Sequence, residues 1–191
     1  MNNALIISQA EKTNSALTGI LQAASIANIT TLKNAGEARR FLIEKDFDLC
    51  IVNTPLPDEF GETLARHIAS QGVSQVILLV RAEILDEITE KVEDYGVITL
   101  GKPISKELFW HALKLTRATH RKITAVQKEN QKLIQKIEDI RIIDRAKCIL
   151  VAHLAMSEPE AHRHIEKQAM DMRMTRREVA QDILKTYDNS Y

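Results

Sequence analysis

Residues 1–101 alternate short apolar runs with amphipathic stretches. Phe47–Asn53 (FDLCIVN) and Val76–Val80 (VILLV) are nearly continuous in apolar character, the pattern of strands buried on both faces. Ala4–Ser8, Ile29–Lys33 and Val97–Leu100 add three shorter strands, the second of them weak. Between them, apolar residues recur at steps of three and four and predict helices over Thr13–Ala24, Gly36–Glu44, Glu62–Ser70 and Ala82–Asp94. Leu17, Ile20 and Leu21 face inward on the first, Phe41 and Leu42 on the second. This βα alternation predicts an α/β fold: a doubly wound parallel sheet of five strands with crossover helices.

After Gly101-Lys102-Pro103 the period changes for good. Ser105 can cap a helix that packs Leu108, Phe109, Ala112, Leu113 and Leu115 on the sheet. No Gly or Pro occurs from Ile104 to Glu158, so the pattern predicts one long helix, with at most one break. Within it Ile123, Asn130 and Ile137 fall at heptad position a, and Val126, Leu133 and Ile140 at position d. Mostly β-branched residues at a with one Asn favour a two-stranded parallel coil, the Asn fixing register. The other face (Gln127, Lys128, Gln131, Lys132) is strongly polar, which favours a dimer seam over packing on the chain's own sheet domain. The seam spans about three heptads and should need help from attached domains.

Three further apolar-periodic segments follow. Ile140, Ile143, Ala146, Ile149, Leu150 and Leu154 make the first face. Ser157-Glu158-Pro159-Glu160 is a capping box with Pro in the first turn, opening a helix with Ala161, Ile165, Ala169 and Met172 inward. Thr175-Arg176-Arg177-Glu178 is a second box, opening a helix with Val179, Ala180, Ile183 and Leu184 inward. Together they predict a compact three-helix unit. The expected division is a sheet domain at 1–118, a coiled-coil linker at 119–139 and the helical unit at 140–191.

Composition narrows the class. Of the 191 residues, 45% are apolar and 27% charged, values of a folding chain and not a disordered one. No run of about 18 apolar residues exists, so no span of a membrane is expected. Met1–Ile7 lacks a basic start and a long apolar core, which argues against a secretory signal and for the cytoplasm. Cys50 and Cys148 each lie in an apolar run and read as small buried thiols in a reducing compartment. No metal-type Cys/His spacing occurs; His162 and His164, two apart on a helix, do not face each other. No Gly-rich phosphate loop or nucleophile–base pair is evident, so neither an enzyme nor a cofactor is expected. The net charge of +0 is uneven. Residues 1–101 carry roughly 8 Lys and Arg against 14 Asp and Glu, and residues 102–140 roughly 9 against 4. That bias favours a polyanion partner toward the C-terminal end, or a solvated basic helix face.

The strand–helix alternation, Lys102-Pro103 after the fifth strand and the loop Asn53–Gly61 after the third together resemble the receiver domain of response regulators. The resemblance covers about the first 115 residues and implies a flavodoxin-like sheet of order 2-1-3-4-5, with the site at the strands' carboxyl ends. Receiver chemistry needs an aspartate nucleophile, an acidic pair for Mg²⁺, and a hydroxyl and a lysine for the phosphoryl oxygens. The matching positions here are Asn53, Ser8-Gln9, Val80 and Lys102; only the lysine is of the required type. Thr99 stands at the position of the switch aromatic. An amide cannot form an acyl phosphate, and Glu11 and Asp58 are the only nearby carboxylates that could substitute. The expected domain is a pseudo-receiver, a docking surface and switch body without phosphate chemistry. Lys102 is then structural, bonded to Asn53 or a strand-end carbonyl.

Ala146-Lys147-Cys148-Ile149-Leu150, Ser157-Glu158-Pro159-Glu160-Ala161, Ala169-Met170 and Glu178-Val179-Ala180 resemble, in order and spacing, the motif of the ANTAR domain. That is the RNA-binding module of bacterial transcription antiterminators. Four positions depart from it: Cys148 where Gly is usual, His162 where an aromatic is usual, Glu166 where Arg is common, and Arg176 where an apolar residue is common. The resemblance implies a homodimer that binds hairpins in nascent leader transcripts and prevents terminator formation. Control would come from a regulatory protein partner or ligand at the pseudo-receiver. Candidate RNA contacts are Arg145, Lys147, Arg163, Lys167, Arg173, Arg176 and Arg177, with Lys147 at the motif lysine. Each could instead be a salt-bridged surface cation, as Lys147 would be with Glu160 or Glu166. Ala146, Ile149, Leu150, Ala161, Ala169, Met170 and Ala180 read as packing core. No aromatic stacking platform is visible, Tyr187 and Tyr191 coming too late. A protein–protein adaptor and a DNA-binding regulator stay open beside this reading.

Overall fold

A computed structural model describes residues 1–72 and 74–188. Contacts divide the chain into a unit of Met1–Ala125 and a second that begins at Val126.

The first unit holds five parallel strands: β1 (Asn3–Ile7), β2 (Asn28–Leu32), β3 (Leu49–Asn53), β4 (Gln75–Arg81) and β5 (Ile98–Lys102). Their order is β2-β1-β3-β4-β5, as expected for a receiver. Side chains alternate between two cores. Leu5, Ile7, Cys50, Val52, Leu78 and Val80 meet α2 (Ala35–Glu44), α3 (Glu62–Gln71) and α4 (Leu85–Val92) on one face. Ala4, Ile6, Leu49, Ile51, Ile77 and Leu79 meet α1 (Glu11–Ala23) and the start of α5 (Lys106–Leu154) on the other. That double burial is why β3 and β4 read as unbroken apolar runs.

The expected helix over Ala82–Asp94 is shorter. Only Leu85–Val92 is α-helical, and tighter single turns, Ala82–Ile84 and Glu93–Tyr95, stand at its ends. Such turns satisfy terminal groups that no side chain caps. On α5, Phe109, Ala112 and Leu113 are buried as expected, while Leu108 and Leu115 are exposed. Those two lie about 100° round the helix from the buried line, off the sheet. Inside α1, a Cβ added at Gly19 would meet nothing within 4 Å. Gly costs helix stability and nothing here requires its freedom. Gly19→Ala is therefore expected to raise urea resistance by about 0.5–1 kcal/mol, read from the denaturation midpoint at constant slope.

In the second unit the end of α5 packs with α6 (Glu158–Met172) and α7 (Arg176–Asp188). The core is Ala146, Leu150, Ala161, Ile165, Ala169, Val179, Ala180 and Ile183. Alanines at half of these positions let the helix axes approach closely. Both capping boxes form. The Glu160 carboxylate accepts from the Ser157 N–H at 2.8 Å and hydroxyl at 2.7 Å. Glu178 accepts from the Thr175 N–H and hydroxyl, both at 2.8 Å. The bonds hold both carboxyls below the usual glutamate value of 4.5, led by the Ser157 hydroxyl for Glu160 and the Thr175 N–H for Glu178. Their contribution is thus complete above pH 4.5 and lost as pH falls through the lower folded values. Glu160→Gln with Glu178→Gln should remove that part of the acid sensitivity, seen as a flatter melting temperature against pH on the acid side.

Helical phase corrects several expectations. Met170 (73% exposed) and Met172 (59%) are not core: Met170 lies opposite the Ala161–Ile165–Ala169 line, and Met172 is the helix's last residue. Ile140 and Leu154 are exposed and Ile149 is only half-buried. Cys148, expected buried, is exposed, because it sits about 200° from Ala146 on the far side of α5. Cys50 is buried, and burial pushes its thiol up to about 12. Among the described residues no helix is long and apolar enough to cross a membrane.

Candidate functional site

The carboxyl ends of β1, β3 and β5 bring Ser8, Asn53 and Lys102 together. The Asn53 Nδ2 donates to the Ser8 hydroxyl at 2.9 Å, and Lys102 Nζ donates to Asn53 Oδ1 at 3.1 Å. Lys102 also donates to the Thr54 carbonyl. Both ends of the Asn53 amide are therefore engaged inside a nearly dry site: Ser8 and Asn53 are buried. Of the two partners expected for Lys102, Asn53 or a strand-end carbonyl, it donates to the first and to the carbonyl just past β3. Burial, and then the charge of Arg81, hold the Lys102 ammonium below its usual value of 10.5.

The remaining positions have different surroundings. Gln9 is exposed, and Val80 is buried within β4. Thr99 and Thr89 of α4 share a hydrogen bond between hydroxyls at 2.6 Å, so a short fixed contact replaces a side chain that could swing. Asp58 accepts from the N–H groups of Ala35 at 2.9 Å and Gly36 at 2.8 Å. Those bonds, Ala35 first, lower its carboxyl below 3.8 and commit it to the start of α2. Glu11 is exposed in the first turn of α1. Removing Lys102 would leave two buried acceptors without a donor. Lys102→Ala is expected to cost about 1–3 kcal/mol in urea unfolding.

The seven candidate cations of the second unit have different surroundings. Arg145, Arg163, Lys167, Arg173 and Arg176 are exposed; Lys147 and Arg177 are half-buried. Lys147 lies 2.8 Å from Asp144 and 2.7 Å from Glu158. Its partners are thus not Glu160 or Glu166, the pairings the sequence suggested. Hydrogen bonds to Asp144 and then Glu158 raise its ammonium to about 12. Arg177 pairs with Asp139 of α5 at 2.6 Å. Arg163 and Lys167, one turn apart on α6, flank a cavity of about 470 Å³ beside Leu154–Met156. Arg173 ends α6 with φ 55°, the left-handed conformation, its N–H bonded to the Ala169 and Met170 carbonyls.

Three of the four departures from the motif meet one another. Glu166 Oε1 lies 3.0 Å from Arg176 and 3.3 Å from His162. An acid introduced on α6 thus faces a cation introduced on α7. Exposed pairs of this kind are worth at most about 1 kcal/mol. Their consequence is a charge-paired patch at positions where the motif commonly has one Arg and no acid. A contact missed in the sequence is His153 beside Tyr187, ring centroids 5.3 Å apart. They are distant in sequence, and only the packing of α5 on α7 joins them; Tyr187, set aside as too late, packs against the core. Met170, expected in the core with Ala161 and Ala169, is exposed; its spacing from Ala161, Ile165 and Ala169 already turned it outward. Tyr191 lies outside the described residues.

The six seam positions run from 36% exposed at Ile123 to 59% at Ile140, and Asn130 is exposed with them.

Residues 131–184 match the model of the ANTAR domain. Two relatives, each named Transcriptional regulatory protein PdtaR, come from the CDC 1551 / Oshkosh and ATCC 25618 / H37Rv strains of Mycobacterium tuberculosis. Both are 32% identical over 140 residues, 73% of this chain and 68% of theirs. Among solved structures, the signal receiver domain of an HD domain-containing protein from Pseudomonas fluorescens Pf-5 superposes with a TM-score of 0.56 at 22% identity, over 64% of this chain and 91% of that one. A two-component response regulator from Clostridium difficile gives 0.55 at 21%, over 62% and 97%. These two likenesses establish the receiver fold of the first unit.

Proposed function

The chain belongs to the family of ANTAR-domain transcriptional regulatory proteins, and from that we propose that it is an RNA-binding antitermination regulator without enzymatic activity. It acts in the cytoplasm, as a homodimer, on hairpins in nascent leader transcripts, and binding keeps a terminator from forming. The working division is a pseudo-receiver at 1–118, a coil at 119–139 and an RNA-binding unit at 140–191. The observation that carries the reading is the small helical unit whose core includes six motif residues (Ala146, Leu150, Ala161, Ala169, Val179 and Ala180) and whose surface presents Arg163 and Lys167 beside the α5–α6 turn. Cations on a compact helical face suit phosphates of a folded RNA, and a few donors suit its unpaired loop. Arg145, Lys147, Arg173, Arg176 and Arg177 complete the proposed contact set.

Dimerisation is proposed through Ile123, Val126, Asn130, Leu133, Ile137 and Ile140, an apolar seam left bare in the single chain. The receiver-like unit takes its signal from a partner protein or ligand; in support, Asn53 has no carboxylate to phosphorylate and its amide is tied between Ser8 and Lys102. Incubation with acetyl phosphate and Mg²⁺ is expected to leave the mass unchanged. A gain of one phosphoryl group on residues 1–118 would contradict this.

The test of RNA binding is a side-by-side titration with hairpin RNA, the same RNA unfolded, and duplex DNA. Preference for the hairpin supports the proposal. Preference for DNA favours a DNA-binding regulator, and indifference to all three favours a protein adaptor. Lys147→Ala should weaken hairpin binding. Because Lys147 also ties α5 to the start of α6, its melting curve must be read alongside.

A further inference from the structure

On the α1–α5 face of the first unit a groove of about 650 Å³ is open to solvent. Its floor is apolar: Leu17 and Ile20 of α1, Phe109 and Trp110 of α5. Three lysines line it, Lys12 on α1, Lys102 at the end of β5 and Lys106 at the start of α5. No carboxylate belongs to the described residues that line it; Glu11 and Glu107, adjacent in sequence to two of the lysines, stand outside. The groove thus sets three cations around one apolar floor.

Gly19 adds a second, independent observation. It lines the same groove, and a side chain there would meet no protein atom within 4 Å. The fold needs no glycine at this helical position, and a large residue there would project into the groove. Pockets of this size, apolar with a few placed polar groups, are typical of small-molecule sites.

We propose that this groove is the binding site of a small anionic amphiphile, a carboxylate on an apolar body, its head toward the lysines and its body over Leu17, Ile20, Phe109 and Trp110. Lys102 connects the groove to the former phosphate site. Two of its three donors are used by Asn53 and Thr54, and the third can reach a ligand without breaking either bond. An acid bound here would hold the same lysine that a phosphoryl group holds in a competent receiver. The inference deepens the proposed control of this unit by a ligand. It is tested without RNA, so its failure leaves RNA binding untouched, and a failure to bind RNA leaves it standing.

Trp110 is the chain's one tryptophan and lies in the groove, so its fluorescence reports occupancy directly. The full chain is titrated with decanoate, decan-1-ol and decyltrimethylammonium. Decanoate should give a saturable change, and the neutral and cationic chains should bind about tenfold more weakly or worse, the loss of a charge-assisted contact. Gly19→Leu should weaken decanoate binding at least about fivefold, as should Lys12→Gln combined with Lys106→Gln. Circular dichroism confirms that each variant is folded, and if Gly19→Leu is not, the lysine pair decides. No saturable change with decanoate, equal binding of decan-1-ol, or unweakened binding by the folded variants overturns the proposal.

Discussion

Leu150→Ala is expected to abolish hairpin binding by unfolding the second unit while the first stays intact. Leu150 is almost wholly buried among Ala146, Ala161, Ile165 and Ala180. Removing such a side chain costs about 2–5 kcal/mol, because the surrounding helices close the cavity only partly. A core of eight buried residues, half of them alanine, supplies little in reserve. Small units of this kind have about 3–5 kcal/mol to lose. Thermal unfolding followed by circular dichroism should lose the helical transition of the second unit. Trp110 fluorescence should meanwhile report an unchanged transition for the sheet unit. A variant that keeps both transitions and binds RNA normally would mean that this core does not hold the interface.

Leu133→Asp combined with Ile137→Asp is expected to turn a dimer into a monomer, the second large effect. These residues occupy consecutive d and a positions, and both are half or more exposed in the single chain. Buried together in a coil they are stabilising; two aspartates in each helix would bring four carboxylates to one seam, at a cost the short coil cannot absorb. Because neither side chain belongs to a core within the chain, the monomer should stay folded and lose only the stability that association adds. Sedimentation should show half the mass, and affinity for a paired-hairpin RNA should fall by roughly 100-fold as the linked second contact is lost. Unchanged mass in the variant would place the dimer contact elsewhere.

The sheet was legible because burial on both faces leaves a mark that short-range pattern cannot hide: β3 and β4 are apolar without interruption, and only a parallel, helix-covered sheet makes that favourable. The caps were legible for the opposite reason, being wholly local: Ser157 with Glu160 and Thr175 with Glu178 each need only three residues to specify a bond. What the sequence hid was phase at the edges of helices. Leu108, Leu115, Cys148 and Met170 are apolar residues beside an apolar line, and periodicity assigns such neighbours poorly when the line is wide. Long-range pairing was hidden altogether. The exchange of Glu166 against Arg176 and His162 looked like three separate departures until α6 and α7 were packed together. Lys147 was identified as a possible ion-pair member, but which acid it meets depends on the turn between α5 and α6. At the strands' carboxyl ends the sequence showed directly that Asn53 carries an amide in place of a carboxylate, while its bonds to Ser8 and Lys102 join residues far apart in the chain.

Titration of the protein with a leader-type hairpin RNA against its unfolded counterpart, repeated across a range of salt concentrations, probes the central claim most directly. Saturable binding that prefers the hairpin, weakens with salt as phosphate contacts require, and is reduced by the combined Arg163→Gln and Lys167→Gln change is the predicted result. Equal affinity for folded and unfolded RNA, with no response to that change, would contradict the account.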